Sequence, residues 1–483
     1  MDFLSRTFFF FLLGSVAIFY ACPPRYRINI ALPVLNTVFL ILLAVSLGSL
    51  GPLFAFVVVS YLFLRAIQKR RSRKIFIAAL IMVLCGFIYL KQYTFLLFLP
   101  RLVETYTVIG LSFILFRVVH LFIDCYEGAI SEKIGFLSFW GFVTFFLAVI
   151  SGPIQSFHDF QNDSKIIARG TILSSGDVLD AFSRIVRGYW KIAVLSAIFS
   201  LIYHGFAMRI DSPKYSINFV SLCVFYIGAL VTYPLYLYFN FSGYMDVVIG
   251  GGRLFGFNLP ENFNRPFSAT SFLELWSRWH ITLSNWFKFY VFNPLMKSLN
   301  QRWPDPKNIS RFGVATYFVT FLLMGIWHGT TLSFVIFGVL LAIGVSVNKL
   351  FENAAREKWG KAQYLVFSEN LFARFGGRVV TYGYFALALT CVWMTSSQIM
   401  WLAQRLGIIG LAVIFVGSVI IVSCGMLVVD GMTCFLRRFA LIVTPEISGC
   451  LMTRVWLAVQ ILLISAIVFS KTLSIPEFVY KAF

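Results

Sequence analysis

Apolar runs of roughly the length a bilayer requires recur along almost the whole chain, at about 8–21, 29–50, 52–65, 75–91, 106–123, 134–151, 190–208 and 216–240. After a polar interruption they resume at about 312–327, 331–349, 379–396, 407–428 and 454–471. A spanning helix needs roughly 17–25 predominantly apolar residues, so the pattern predicts an all-α, polytopic membrane protein with roughly 11–13 transmembrane helices. Residues 1–483 form one domain, with the informative core at about 106–350 and peripheral helices at 1–105 and 351–483. The run from Phe8 to Ala21 lacks a small-residue cleavage site and is followed by Cys22-Pro23-Pro24-Arg25. It is expected to be a retained first membrane helix rather than a signal peptide.

Two stretches break the apolar rhythm. Ser156 to Arg187 contains Asp159, Asp163, Lys165, Asp177, Asp180 and Arg184, and reads as a loop with an amphipathic helix lying on the membrane. Residues 240–330 are flanked by spans but polar and aromatic within. Gly250-Gly251-Gly252, Pro260 and Pro266 are expected to break any long helix there. Ser271-Phe-Leu-Glu274 is a capping-box pattern predicted to open a helix over 272–292. Its apolar face is Phe272, Leu275, Trp276, Trp279, Leu283, Trp286, Phe287 and Tyr290. Glu274, Arg278, Thr282, Asn285 and Lys288 take the other side. Such a tryptophan-rich helix suits the bilayer interface or a re-entrant position.

Composition reinforces this picture. Of 483 residues 59% are hydrophobic and only 12% charged, about half the charge of an average soluble domain. The net charge of +20 sits in short loops such as Lys69-Arg70-Arg71-Ser72-Arg73-Lys74, which marks cytoplasmic loops and contact with anionic head groups. With that loop cytoplasmic, three spans back place the N-terminus outside. No nucleic-acid partner is implied; the expected environment is membrane lipid. The eight cysteines contain no Cys-x-x-Cys pair and the five histidines no His-x-x-x-His spacing, so neither a disulfide framework nor a metal site is expected.

Chemistry therefore falls to a few polar residues at membrane depth. His328, in Gly325-Ile-Trp-His-Gly329, ends a hydrophobic span, and an imidazole there accepts a proton near neutrality or merely bonds a neighbouring helix. His280 lies in Arg278-Trp-His-Ile-Thr-Leu-Ser284 at the boundary of the interfacial helix. Asp246, the only carboxylate between Asp211 and Glu261, either pairs with an arginine such as Arg253 or orients a catalytic group. Arg117 and His120, one turn apart, either line a polar tunnel or satisfy Asp124 and nearby carbonyls.

The ordered strings Tyr238-Phe-Asn-Phe-Ser-Gly-Tyr-Met-Asp246, Asn262-Phe-Asn-Arg-Pro-Phe267, Arg278-Trp-His-Ile-Thr-Leu-Ser284 and Trp327-His-Gly329 resemble the membrane-bound O-acyltransferase (MBOAT) family. The likeness is to its bacterial branch, which acetylates alginate and other exported polysaccharides or D-alanylates teichoic acids. Gly110-Leu-Ser-Phe113, Phe116, Asp124-Cys-Tyr-Glu-Gly128 and Ser151-Gly-Pro-Ile154 extend it to about 110–330. Arg117, Glu127 and the absence of an arginine after Ile154 depart from the branch pattern, and the first hundred residues match only in hydropathy. The resemblance implies re-entrant helices around a central tunnel, His328 as the catalytic histidine and His280 as a second one. Asp246, Asn264, Arg278, Ser284 and Trp327 are expected to support them or line the tunnel.

The implied reaction moves an acyl group, acetyl in the first instance, from a cytoplasmic thioester to a hydroxyl of an exported polysaccharide or an extracytoplasmic partner protein. Acetyl-coenzyme A or another acyl thioester would serve as donor, with no tightly bound cofactor, in the bacterial cytoplasmic (inner) membrane. Ser284 and Ser242 are conceivable acyl-enzyme nucleophiles, but neither sits in a Gly-x-Ser-x-Gly motif, and direct transfer is favoured. D-alanyl transfer to teichoic acid is the alternative within the enzyme class. A transporter or channel would share broken helices and midplane charges, but the chain shows no paired halves. A non-catalytic scaffold would not need both histidines.

Overall fold

The computed structural model describes residues 6–44, 46–96, 110–171, 173–211, 218–442 and 457–464. The chain runs through α1 (Arg6–Ala21), α2 (Pro24–Leu43), α3 (Gly48–Arg70), α4 (Arg73–Lys91), α5 (Leu111–Glu127), α6 (Phe136–Val143), α7 (Phe157–Ala168), α8 (Ser175–Ile210) and α9 (Phe219–Leu254). It continues through α10 (Phe272–Trp276), α11 (Ile281–Phe287), α12 (Asn293–Arg302), α13 (Pro306–His328), α14 (Leu332–Trp359), α15 (Leu371–Trp393) and α16 (Ser396–Val428). Nine of the described helices are long and apolar enough to cross a membrane, and the chain is an all-α, multi-pass membrane protein. The predicted spans at 106–123 and 454–471 lie partly outside the described residues; their described parts, from Leu111 and over 457–464, are helical.

Three local expectations are corrected. The stretch read as a loop with an amphipathic helix, Ser156 to Arg187, holds two helices, α7 and the first half of the long α8. Ser174 caps α8 reciprocally: its hydroxyl accepts from the Asp177 amide at 3.1 Å while the Asp177 carboxylate accepts from the Ser174 amide at 3.1 Å. Arg184, which made the segment look solvated, points at carboxylates of α9 and its exit loop.

Gly250-Gly251-Gly252 does not end a helix either, because α9 runs through it to Leu254. A Cβ on Gly250 would lie 2.8 Å from the Ala181 carbonyl oxygen, so this glycine permits α8 and α9 to pack closely. That contact outweighs the roughly 1 kcal/mol that glycine costs within a helix. The helix ends instead at Gly256, whose φ is +85°. The Gly256 amide donates to the Arg253 carbonyl and the Phe257 amide to Gly252, closing a Schellman turn.

The span expected at 134–151 is helical only over α6, and its remainder is buried irregular backbone. Such backbone at membrane depth needs protein partners, and two side chains supply them. Asn36 of α2 donates to the Gly141 carbonyl at 3.1 Å and accepts from the Phe146 amide at 3.0 Å. Arg117 of α5 donates to the Phe142 carbonyl at 2.6 Å. Polar residues within apolar spans thus allow a helix to stop early.

Candidate active site

The site is built where two broken elements meet. α13 and α14 form a hairpin whose turn begins at His328. Three residues before that histidine, a Cβ on Gly325 would fall 2.0 Å from the Cα of Gly338. The hairpin therefore closes only because both positions are glycine. His328 is buried, its ring 5.7 Å from Phe337 of α14. Trp327 is buried beside it, its ring 4.9 Å from Phe116 and 5.7 Å from Phe113 of α5.

The second element is the helix expected over 272–292, and here the expectation is corrected. The Ser271 hydroxyl does cap α10, accepting from the Glu274 amide, but the Glu274 carboxylate accepts from the Thr270 amide rather than from Ser271. After Trp276 the chain leaves the helix, and His280 adopts φ +49° and ψ +49° before α11 begins. That left-handed conformation is uncommon for a residue with a Cβ. It is held by a short pairing with the 262–264 segment. Phe263 and Trp279 form an antiparallel bridge, the Asn264 amide donates to the Arg278 carbonyl at 2.9 Å, and the Ile281 amide donates to the Asn262 carbonyl at 3.0 Å. A helical wheel cannot reveal this, because the break depends on residues from another segment.

The outcome is that His280, fully buried, brings its ring to 6.4 Å from that of His328, with Phe241 of α9 packed 4.9 Å from the His280 ring. At that separation the imidazoles are too distant to hydrogen-bond each other. Asn262 sets the second ring. Its side-chain oxygen accepts from the Thr282 amide at 3.0 Å and the Thr282 hydroxyl at 3.0 Å, and lies 3.3 Å from His280 Nδ1. Since a backbone amide only donates, the Asn262 atom facing it is oxygen. The His280 Nδ1 contact therefore carries its proton on the histidine, which leaves Nε2 as the acceptor nitrogen of the neutral ring. The Ile154 amide donates to the Thr282 hydroxyl at 3.1 Å, tying the Ser151-Gly-Pro-Ile154 segment to the same network.

The other expected residues do not all join this centre. Asp246 is buried, but Arg184 bonds it at 3.0 Å and Lys191 at 2.6 Å, so its pairing is with α8 and not with Arg253. Arg184 also grips Glu261 through two 2.6 Å bonds. Although partial burial would raise the Glu261 carboxyl, the guanidinium holds it below its ordinary range. Asn264 is exposed and contributes backbone bonds. Arg278 pairs with Glu274 at 2.8 Å and donates to Ser268 at 3.2 Å, which braces the α10 turn. Ser284, one turn beyond His280, borders a cavity of about 220 Å³ between α11 and α13 that also meets Trp276, Asn285, Lys288 and Met324. His120 and Arg117 follow the second of their two readings. His120 lies 3.6 Å from Asp124, contacts the Tyr290 hydroxyl and accepts from the Phe157 amide at 3.0 Å.

Two contributors had no sequence signal of their own. Asn262 is one of two asparagines in Asn262-Phe-Asn264, and the string does not show that Asn262 is buried while Asn264 is exposed. Lys91 ends a span in the poorly matching N-terminal part, where a lysine normally reaches for the head groups. It instead donates to the Trp327 carbonyl at 2.9 Å and the Ser112 hydroxyl at 3.0 Å. Among the described residues, no three His, Cys, Asp or Glu side chains gather as a metal-binding group.

Residues 119–367, half of the chain and including both histidines, match the model of the membrane-bound O-acyltransferase family. The chain belongs to that family. The hairpin and broken helix described above lie within its MBOAT segment. It is 29% identical over 257 residues to a teichoic acid D-alanyltransferase of Bacillus subtilis, covering 52% of this chain and 60% of that one. It is 30% identical over 253 residues to a probable alginate O-acetylase of Pseudomonas aeruginosa, covering 51% and 44%. A peptidoglycan O-acetyltransferase of Helicobacter pylori is 30% identical over 222 residues, covering 46% and 39%. The chain thus spans about half the length of the curated relatives it matches. Lys91 and Ser112 lie outside the MBOAT segment.

Proposed function

We propose that this MBOAT protein transfers an acetyl group from a cytoplasmic thioester, acetyl-coenzyme A, to a hydroxyl of an exported cell-envelope polysaccharide or of an extracytoplasmic protein that completes the transfer. The observation that supports this best is the facing of His328 and His280, two buried imidazoles 6.4 Å apart on elements that are both interrupted at the histidine.

His328 takes the proton of the acceptor hydroxyl as its oxygen attacks the thioester carbonyl. The tetrahedral intermediate collapses with cleavage of the carbon–sulfur bond, and the imidazolium returns the proton to the departing thiolate. His280, its tautomer set by Asn262, supports the polar end of the reacting group, with Trp327 walling the pocket. Ser284, Asn285 and Lys288 border the cavity that adjoins both histidine-bearing elements, which favours a donor arriving through it. Asp246, Asn264 and Arg278 act in this reading as braces for the loops around the site.

Sidedness supports the same route. With Lys69 to Lys74 cytoplasmic, the Lys91 end of α4, and with it His328, lies toward the outer face of a bacterial cytoplasmic membrane. The basic residues Lys297, Arg302, Lys307 and Arg311 before and within the start of α13 lie toward the inner face. The relatives named for O-acetyl transfer favour acetyl, whereas the teichoic acid D-alanyltransferase gives D-alanyl transfer from a carrier protein a specific footing. Deleting the gene in its host and assaying base-labile esters of the envelope polymers tests the choice. Loss of acetate, restored by wild type but not by His328→Ala, is the expected result. Loss of D-alanine instead selects the second reading, and no change in either ester contradicts both.

A further inference from the structure

The turn that ends α4 clasps the catalytic hairpin on both sides of His328. Before the histidine, Lys91 Nζ donates to the Trp327 carbonyl at 2.9 Å and lies 5.6 Å from the centre of the Trp327 ring. After it, the Thr94 amide and hydroxyl both donate to the Thr330 carbonyl at 2.9 Å. Between the two donors the chain reverses at Gln92, with φ +54°, and buries Tyr93. The left-handed residue directs Lys91 and Thr94 at carbonyls only three residues apart. Lys91 is anchored from the other side by the Ser112 hydroxyl of α5.

These bonds fall where α13 is least able to hold itself. The last carbonyls of a helix have no intrahelical partner, and a cation beside them satisfies one and complements the negative end of the helix dipole. The Trp327 carbonyl belongs to the peptide bond that joins it to His328, so fixing that carbonyl fixes the plane from which the imidazole projects.

We propose that Lys91, together with Thr94, is a positioning residue for His328: the Lys91–Thr94 turn holds the backbone on both sides of the histidine and so sets the direction of its ring toward His280. This rests on the reading of His328 as the base. It also makes α4, outside the segment matched by the family, part of the working site. A group displaced by about 1 Å loses on the order of 100-fold in rate. Removing the clasp therefore lowers the rate of the chemical step without weakening donor binding.

The test uses the full-length protein in proteoliposomes, comparing wild type, Lys91→Met, Lys91→Gln, Thr94→Val and His328→Ala. Steady-state acetyl-coenzyme A turnover is read alongside hydrogen–deuterium exchange across 325–332. Lys91→Met is expected to lower kcat at least tenfold with the KM for acetyl-coenzyme A changed less than twofold, and Lys91→Gln, which keeps a donor, to recover part of the loss. Exchange across 325–332 is expected to rise in Lys91→Met and Thr94→Val while the rest of the chain keeps its wild-type pattern. Unchanged exchange in Lys91→Met overturns the clasp whatever the activity. A kcat within twofold of wild type, or a loss that only tracks the folded fraction, overturns the positioning role. Full activity in His328→Ala instead indicts the reading of the base, and leaves exchange as the measure of the clasp.

Discussion

Asn262 shows how much a single buried amide can organise. Its side-chain oxygen faces three donors, two from Thr282 and one from His280. Replacing it with leucine, close in volume, leaves those donors buried without an acceptor. Each unsatisfied group costs about 1–3 kcal/mol, and the His280 tautomer is no longer fixed. Asn262→Leu is expected to lower turnover by on the order of 100-fold and to reduce the melting temperature in detergent. Turnover within threefold of wild type would show that His280 does not need this partner. At this scale the sequence pointed to both histidines through the strings around them, and to Asp246 as a buried carboxylate. It did not distinguish Asn262 from Asn264, because residues two apart share a side in regular extended backbone, and only the folded chain, where Asn262 is buried and Asn264 exposed, separates them. Nor did it place Lys91, since a lysine at the end of a span has the same sequence appearance whether it snorkels or turns inward.

Between elements, the decisive features are places where helices stop or touch. Periodicity described the face of 272–292 correctly as apolar, and Trp279, Leu283, Trp286 and Phe287 are all buried. It did not show the break at His280, which requires the 262–264 segment. The opposite error was made at Gly250-Gly251-Gly252, where glycine as helix breaker was weighed and glycine as packing surface was not. The α13–α14 hairpin gives a direct test of the latter role. A methyl on Gly325 would overlap backbone of Gly338, with no flexible side chain to yield, so the two helices must separate. Gly325→Ala is expected to destabilise the protein by about 1–3 kcal/mol and to depress turnover further than the folded fraction explains, because His328 lies one turn away. A thermal melt and turnover equal to wild type would mean the hairpin is not held at this crossing.

For the whole molecule, hydropathy alone was enough to establish a multi-pass helical membrane protein, since lipid leaves the backbone few other solutions. The interior of 134–151 was less legible. Its hydropathy is that of a span, yet Asn36 and Arg117 free it from being a helix by taking over its backbone bonds. What results is a helical shell around a central region of interrupted segments, with both histidines at the interruptions and a cavity at the Lys288 side. Under the proposed function, donor and acceptor would meet at one buried centre without either crossing the bilayer.

That claim is tested most directly by sealed proteoliposomes with oriented protein, radiolabelled acetyl-coenzyme A confined to the cytoplasmic side and a hydroxylated polysaccharide on the other. The account predicts label on the far-side acceptor from wild type, and none from His328→Ala at equal insertion and folding. Transfer by His328→Ala at the wild-type rate would contradict it.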